Sequence, residues 1–114
     1  LVSSSAASDV YKRQGLKLVK KNYRSRFGEI DLIMSDDRTL AFVEVKYRTN
    51  TTFGNAVEMV TYQKQQKILK TAALFLQNYP QYANSTCRFD VVAISASTSS
   101  SAPITRWIKN AFSA

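Results

Sequence analysis

Apolar and polar residues alternate with a period of two through most of the first half of the chain, and this pattern predicts strands. Leu16, Leu18 and Val19 stand among Lys17, Lys20, Lys21, Arg24 and Arg26, as in an edge strand over residues 15–26. From Gly28 two arms follow, Gly-Glu-Ile-Asp-Leu-Ile-Met and Leu-Ala-Phe-Val-Glu-Val-Lys-Tyr-Arg, joined by a polar Ser-Asp-Asp-Arg-Thr turn. They read as a hairpin. In the first arm a strict alternation groups Glu29, Asp31 and Ile33 against Ile30, Leu32 and Met34. In the second it groups Phe42, Glu44 and Lys46 against Val43, Val45 and Tyr47. The period then changes. Thr61 is a suitable N-cap for a helix ending near Asn78, before Tyr79-Pro80, with Ile68, Leu69, Ala72, Phe75 and Leu76 as its buried stripe. Residues 88–94 read as a buried strand, and residues 95–102 as a serine-rich loop. The segment 103–112 fits a helix by spacing, while its first half would also serve as a short strand returning beside 88–94.

Carboxylates inside apolar strands are costly unless paired, hydrogen-bonded or bound to a metal. Asp31 and Glu44 share a face of the hairpin only if paired residue numbers have an odd sum, which a two- or four-residue loop at Asp36–Arg38 provides. Two carboxylates so placed can hold a hard divalent ion, Mg²⁺ or Mn²⁺, through oxygen. Lys46, on the same surface, could position water or offset charge on a phosphate. A surface ion-pair ladder explains the same spacing equally well.

The ordered set Gly-Glu-Ile-Asp-Leu-Ile, Phe-Val-Glu-Val-Lys-Tyr-Arg, Phe53-Gly54 before a Lys-Gln-containing helix, Arg-Phe-Asp-Val-Val-Ala-Ile and Trp-Ile-Lys-Asn-Ala-Phe resembles the YraN-like family of bacterial proteins. That family is similar to the restriction-endonuclease-like, PD-(D/E)XK nuclease superfamily, in outline nearest to Holliday junction resolvases. The resemblance runs from about Gly15 to Phe112. It implies an α/β sandwich with a mixed central β-sheet flanked by helices. It also matches Asp31 to the metal-binding Asp, and Glu44 and Lys46 to the E-x-K pair. A metal-dependent endonuclease acting on DNA, with branched DNA among its substrates, is the function implied. A nucleic-acid-binding module without turnover and a protein-interaction domain built on an ion-pair network are the alternatives.

The resemblance also bears on Lys64-Gln65, which matches a recurring Lys-Gln. Gln65 lies one turn before Ile68 and Leu69, pointing inward at a helix start where it could meet a phosphate or water on the metal. Without the resemblance it reads as an ordinary polar residue near a helix end. Lys64, Lys67 and Lys70 repeat every three residues as an outer ridge of the kind that is usually solvated. Glu29, Glu58, Asp90 and Lys64 are secondary candidates, Asp90 reading as a structural partner of Arg88 more than as a group near the metal.

Composition adds a partner class. Sixteen Lys and Arg against eight Asp and Glu, with no His, give a formal charge of +8, which favours nucleic acid. Lys17, Lys20, Lys21, Arg24, Arg26 and Arg48 are the candidate phosphate contacts, although lysines on an edge strand also guard against edge pairing. Cys87 is the single cysteine, which suits a reducing cytoplasm and excludes an intramolecular disulfide. No segment approaches the length of a membrane span. Trp107 and Phe112 are expected to close the core, with stacking on a base or burial in a dimer partner as the other uses of an exposed tryptophan.

Residues 1–14 resemble translated adapter sequence and are expected to be a non-native or disordered leader before a single domain at 15–114. The family's first helix, with its Gly-Glu pair, is accordingly expected to be missing. That loss would uncover one face of the sheet.

Overall fold

The computed structural model describes residues 2–48, 60–95 and 104–113. Five strands form one mixed sheet in the order β1-β2-β3-β4-β5: β1 (Lys17–Arg24), β2 (Glu29–Ser35), β3 (Thr39–Arg48), β4 (Thr86–Ser95) and β5 (Ile104–Phe112). The β3–β4 pair is parallel and the other three are antiparallel. Helix α2 (Tyr62–Asn78) packs on one face and helix α1 (Val2–Lys12) on the other. A single 3₁₀ turn, Pro80–Tyr82, follows α2. No helix among the described residues is long and apolar enough to cross a membrane.

The hairpin follows from its turn. The Asp36 carboxylate accepts from the N–H groups of Arg38 (2.8 Å) and Thr39 (2.7 Å), and Asp36 N–H donates to Thr39 C=O. This side-chain turn sets a register from Leu32↔Val43 to Ser35↔Leu40, in which every pair has an odd sum. Leu32, Met34, Ala41 and Val43 then face α1, whereas Ile33, Leu40 and Phe42 face α2. Ile30 departs from the strict alternation, for it packs with Ile33 and Phe42 rather than with Leu32 and Met34.

Helix α2 has the bounds its sequence signals. Thr61 is extended and its side chain accepts from Lys64 N–H, while Pro80 keeps Tyr79 out of the helical region at the other end. Ile68, Thr71, Ala72 and Phe75 are its buried residues, with Leu69 and Leu76 only partly covered. Phe75 is the centre of this layer. Its ring meets Tyr23 edge-on at 5.2 Å, Phe42 at 6.0 Å and stacks on Tyr79 at 4.5 Å. Phe42, Phe89 and Phe112 continue the stack across β3, β4 and β5.

The opening segment corrects the sequence expectation. Val2–Lys12 is helical rather than disordered, and the face expected to be bare is covered. Ala7 and Tyr11, four residues apart and therefore on one helix face, are fully buried against Leu32, Met34, Val43 and Val92. Tyr11 Oη donates to Asp90 Oδ2 at 2.9 Å. Asp90, with no exposed surface, also accepts from Arg88 Nε (3.0 Å), Trp107 Nε1 (3.1 Å) and Asn110 N–H (2.8 Å). The last contact uses a left-handed residue. Asn110, at φ 52°, lies where β5 bulges opposite Asp90, a conformation that asparagine tolerates better than most side chains. Residues 104–112 are thus strand throughout, settling the choice that spacing left open, and Trp107 closes the core against Tyr11 at 5.0 Å.

Candidate metal centre

Asp31 and Glu44 meet at the edge of the β2–β3 ladder, on the face covered by α2. Asp31 Oδ2 accepts from Val45 N–H at 2.8 Å, so its side chain is tied to the strand that carries Glu44. Glu44 has only 4% of its side chain exposed. Its Oε2 lies 3.3 Å from Lys64 Nζ and 3.7 Å from Lys46 Nζ. Its Oε1 is buried and has no hydrogen-bond partner among the described residues.

Burial, followed by the neighbouring Asp31 carboxylate, pushes the Glu44 carboxyl up to about 7, against the pull of Lys64 and Lys46. Two carboxylates in contact, one of them desolvated, resist ionising together. They are a site that lacks positive charge even with two lysines beside it. The donors are all hard oxygens, and the orphaned Oε1 is an acceptor held where water does not reach it. Both observations fit a divalent cation of the Mg²⁺ or Mn²⁺ kind. Among the described residues no group of three or more His, Cys, Asp or Glu side chains gathers, and Asp31 and Glu44 are the carboxylates that these residues bring to such a site.

Lys64 is not the outer, solvated residue that a three-residue repeat suggests. It lies four positions before Ile68, which puts it on the inward face of α2, and that spacing is the signal that finds it. Gln65 is half-buried, but its amide Nε2 donates to Val60 C=O at 2.9 Å and closes the entry into α2. Glu29 pairs with Arg24 across the β1–β2 ladder. Asp90 is on the α1 face, with the sheet between it and Glu44. Glu58, the Phe53-Gly54 pair and the side chain of Arg48 lie outside the described residues.

The basic run of β1 does not form one surface. Lys17 pairs with Ser35, next to Asp36 and Asp37, whereas Lys20 lies over the Tyr79 ring at 5.5 Å. Lys21 is exposed opposite Leu32, and Arg26 stands beyond the strand over Phe27.

A model of the family described as Uncharacterised protein family UPF0102 matches residues 5–94, from within α1 to the last but one residue of β4. The chain belongs to the UPF0102 family. This is the YraN-like family whose motifs the sequence carries. The UPF0102 protein of Pseudomonas syringae pv. syringae (strain B728a) is 47% identical over 100 residues, covering 88% of this chain and 80% of its own. That of Stutzerimonas stutzeri (strain A1501) is 50% identical over 98 residues, covering 86% and 80%. That of Francisella tularensis subsp. tularensis (strain WY96-3418) is 47% identical over 100 residues, covering 87% and 80%. The UPF0102 match begins inside the segment expected to be a leader and contains Asp31, Glu44, Lys46 and Lys64.

Proposed function

We propose that this UPF0102 protein is a metal-dependent endonuclease of the restriction-endonuclease-like, PD-(D/E)XK kind, hydrolysing phosphodiester bonds in DNA in a cytoplasmic setting. The observation that carries this reading is the buried, unpartnered Oε1 of Glu44 beside Asp31, flanked by two ammonium groups. A purely structural ion-pair network would also put lysines near Glu44. It has no use for a second carboxylate in the same place, nor for a buried acceptor left open.

Asp31 and Glu44 would hold the cation. When bound, Mg²⁺ or Mn²⁺ supplies Lewis-acid stabilisation of phosphate charge and makes hydroxide accessible near neutral pH. Val45 N–H fixes the Asp31 carboxylate, so its second oxygen is presented without loss of side-chain freedom at the moment of binding. The Lys46 side chain is one-third exposed. It is the donor that can reach a non-bridging phosphate oxygen and offset the charge that grows there. Lys64, from the first turn of α2, balances Glu44 from the helix side and brings a second cation to the same oxygen.

The test is a cleavage assay with Mn²⁺ on linear, nicked and four-way DNA. Wild-type protein is expected to cut at least one of them, and chelator or Asp31→Asn to abolish the cut. A wild-type protein that binds DNA and leaves all three intact overturns the nuclease reading in favour of a binding module.

A further inference from the structure

A second cluster of cations lies one helical turn from the carboxylate pair. The turn between β1 and β2, Ser25–Gly28, is fastened to α2. Ser25 Oγ shares a 2.9 Å hydrogen bond with Thr71 Oγ1, and Thr71, fully buried, donates in turn to Lys67 C=O at 2.8 Å. Phe27 N–H donates to Ser25 Oγ, and Ser25 N–H to Gly28 C=O, so the turn is closed on itself as well. The approach is close at Gly28, where a Cβ would lie 3.1 Å from Lys67 Cβ. The turn is thus hydrogen-bonded both to itself and to the helix.

This fastening brings like charges together. Arg26 stands over the Phe27 ring at 4.9 Å and Lys70 over the same ring at 5.7 Å. Lys67 is exposed between them and Lys64. Among the described residues none of Arg26, Lys67 or Lys70 has a carboxylate partner. The nearest acid in sequence, Glu29, is taken by Arg24. Asp36 and Asp37 are at the other end of β2, ~20 Å away at the usual rise of a strand. Two cations holding one ring, with no anion paired to them among the described residues, are repelled by each other and stabilised by a polyanion that lies across them.

We propose that the Ser25–Gly28 turn and the Lys67–Lys70 side of α2 form one binding surface for the phosphodiester backbone of a nucleic-acid strand, which leads that strand to Asp31 and Glu44. The surface rests on the proposed phosphodiesterase reading for its direction, but binding can be read without cleavage. Arg26, Lys67 and Lys70 are the contact cations. Phe27 is the fixed pivot that sets their spacing.

The experiment is fluorescence anisotropy of a short labelled DNA duplex, and of one of its strands alone, titrated in chelator over a range of salt. Arg26→Gln with Lys70→Gln is compared with Lys12→Gln with Arg13→Gln, which removes the same charge from the exposed end of α1, with melting temperatures checked for each. The first pair is expected to weaken binding by ~10-fold or more near 0.1 M salt and to reduce the salt slope by about two. The second is expected to stay within about twofold of wild type. Where the first pair melts early, Lys67→Gln with Lys70→Gln takes its place. Equal weakening by both pairs, or wild-type binding by the first, overturns the surface. Binding through the patch by a protein that never cuts retires the nuclease and keeps the surface. Cutting by a protein whose two double variants bind alike does the reverse.

Discussion

Replacing Lys46 by alanine should lower DNA cleavage by ~10²-fold or more while substrate affinity changes little, the loss expected when one electrostatic stabiliser of a transition state is removed. Lys46 lies 3.7 Å from Glu44 Oε2 but keeps a third of its side chain exposed, whereas Glu44 is sealed. It is therefore free to turn toward a phosphate. Lys46→Met separates the charge from the apolar stem and should behave like alanine. Single-turnover rates at saturating substrate check this. A lysine that only contacts phosphate would instead weaken binding and the salt slope together, with the rate at saturation unchanged.

The second large effect is on stability and its pH dependence. Because the Glu44 carboxyl is raised from 4.5 to about 7, the folded, metal-free protein binds a proton there more tightly than the unfolded chain does. The stabilisation is complete below about pH 4.5 and is lost as pH rises through 7. Glu44→Gln keeps the shape and removes the titration. In chelator it should be more stable than wild type by ~1–3 kcal/mol at pH 8, with the difference shrinking toward pH 5. Urea denaturation at four or five pH values measures it. A difference that does not vary with pH would mean that Glu44 ionises normally.

Much of the site was legible in the sequence because strands have only two faces. Once the loop length gave an odd register, Asp31 and Glu44 had to share one of them, and the Asp36 turn supplies that loop. The bounds of α2 were legible for a similar reason, a cap at Thr61 and a stop at Pro80 being local chemistry. What was missed depends on distant contacts. Residues 2–12 are rich in serine and alanine, and Ala7 and Tyr11 are the fully buried apolar residues described there, so nothing local distinguishes that helix from an unstructured leader. Asp90 gathers Tyr11 from 79 residues away and Trp107 from 17, which no window of sequence contains. Lys64 gave two signals, a secondary site candidate through its Lys-Gln match and a solvated residue by its spacing. A lysine every three residues looks like a solvated ridge, yet the first of them lies four residues before Ile68 and reaches Glu44.

Calorimetric titration of the metal-free protein with Mn²⁺ tests the central claim most directly, with Asp31→Asn and Glu44→Gln alongside. The account predicts one site per chain in the wild type, with protons released on binding near pH 7 as Glu44 gives up its own, and no comparable heat in either variant. Wild-type protein that takes up no Mn²⁺ at millimolar concentration, or variants that bind it as wild type does, would contradict the assignment of Asp31 and Glu44 as a metal centre.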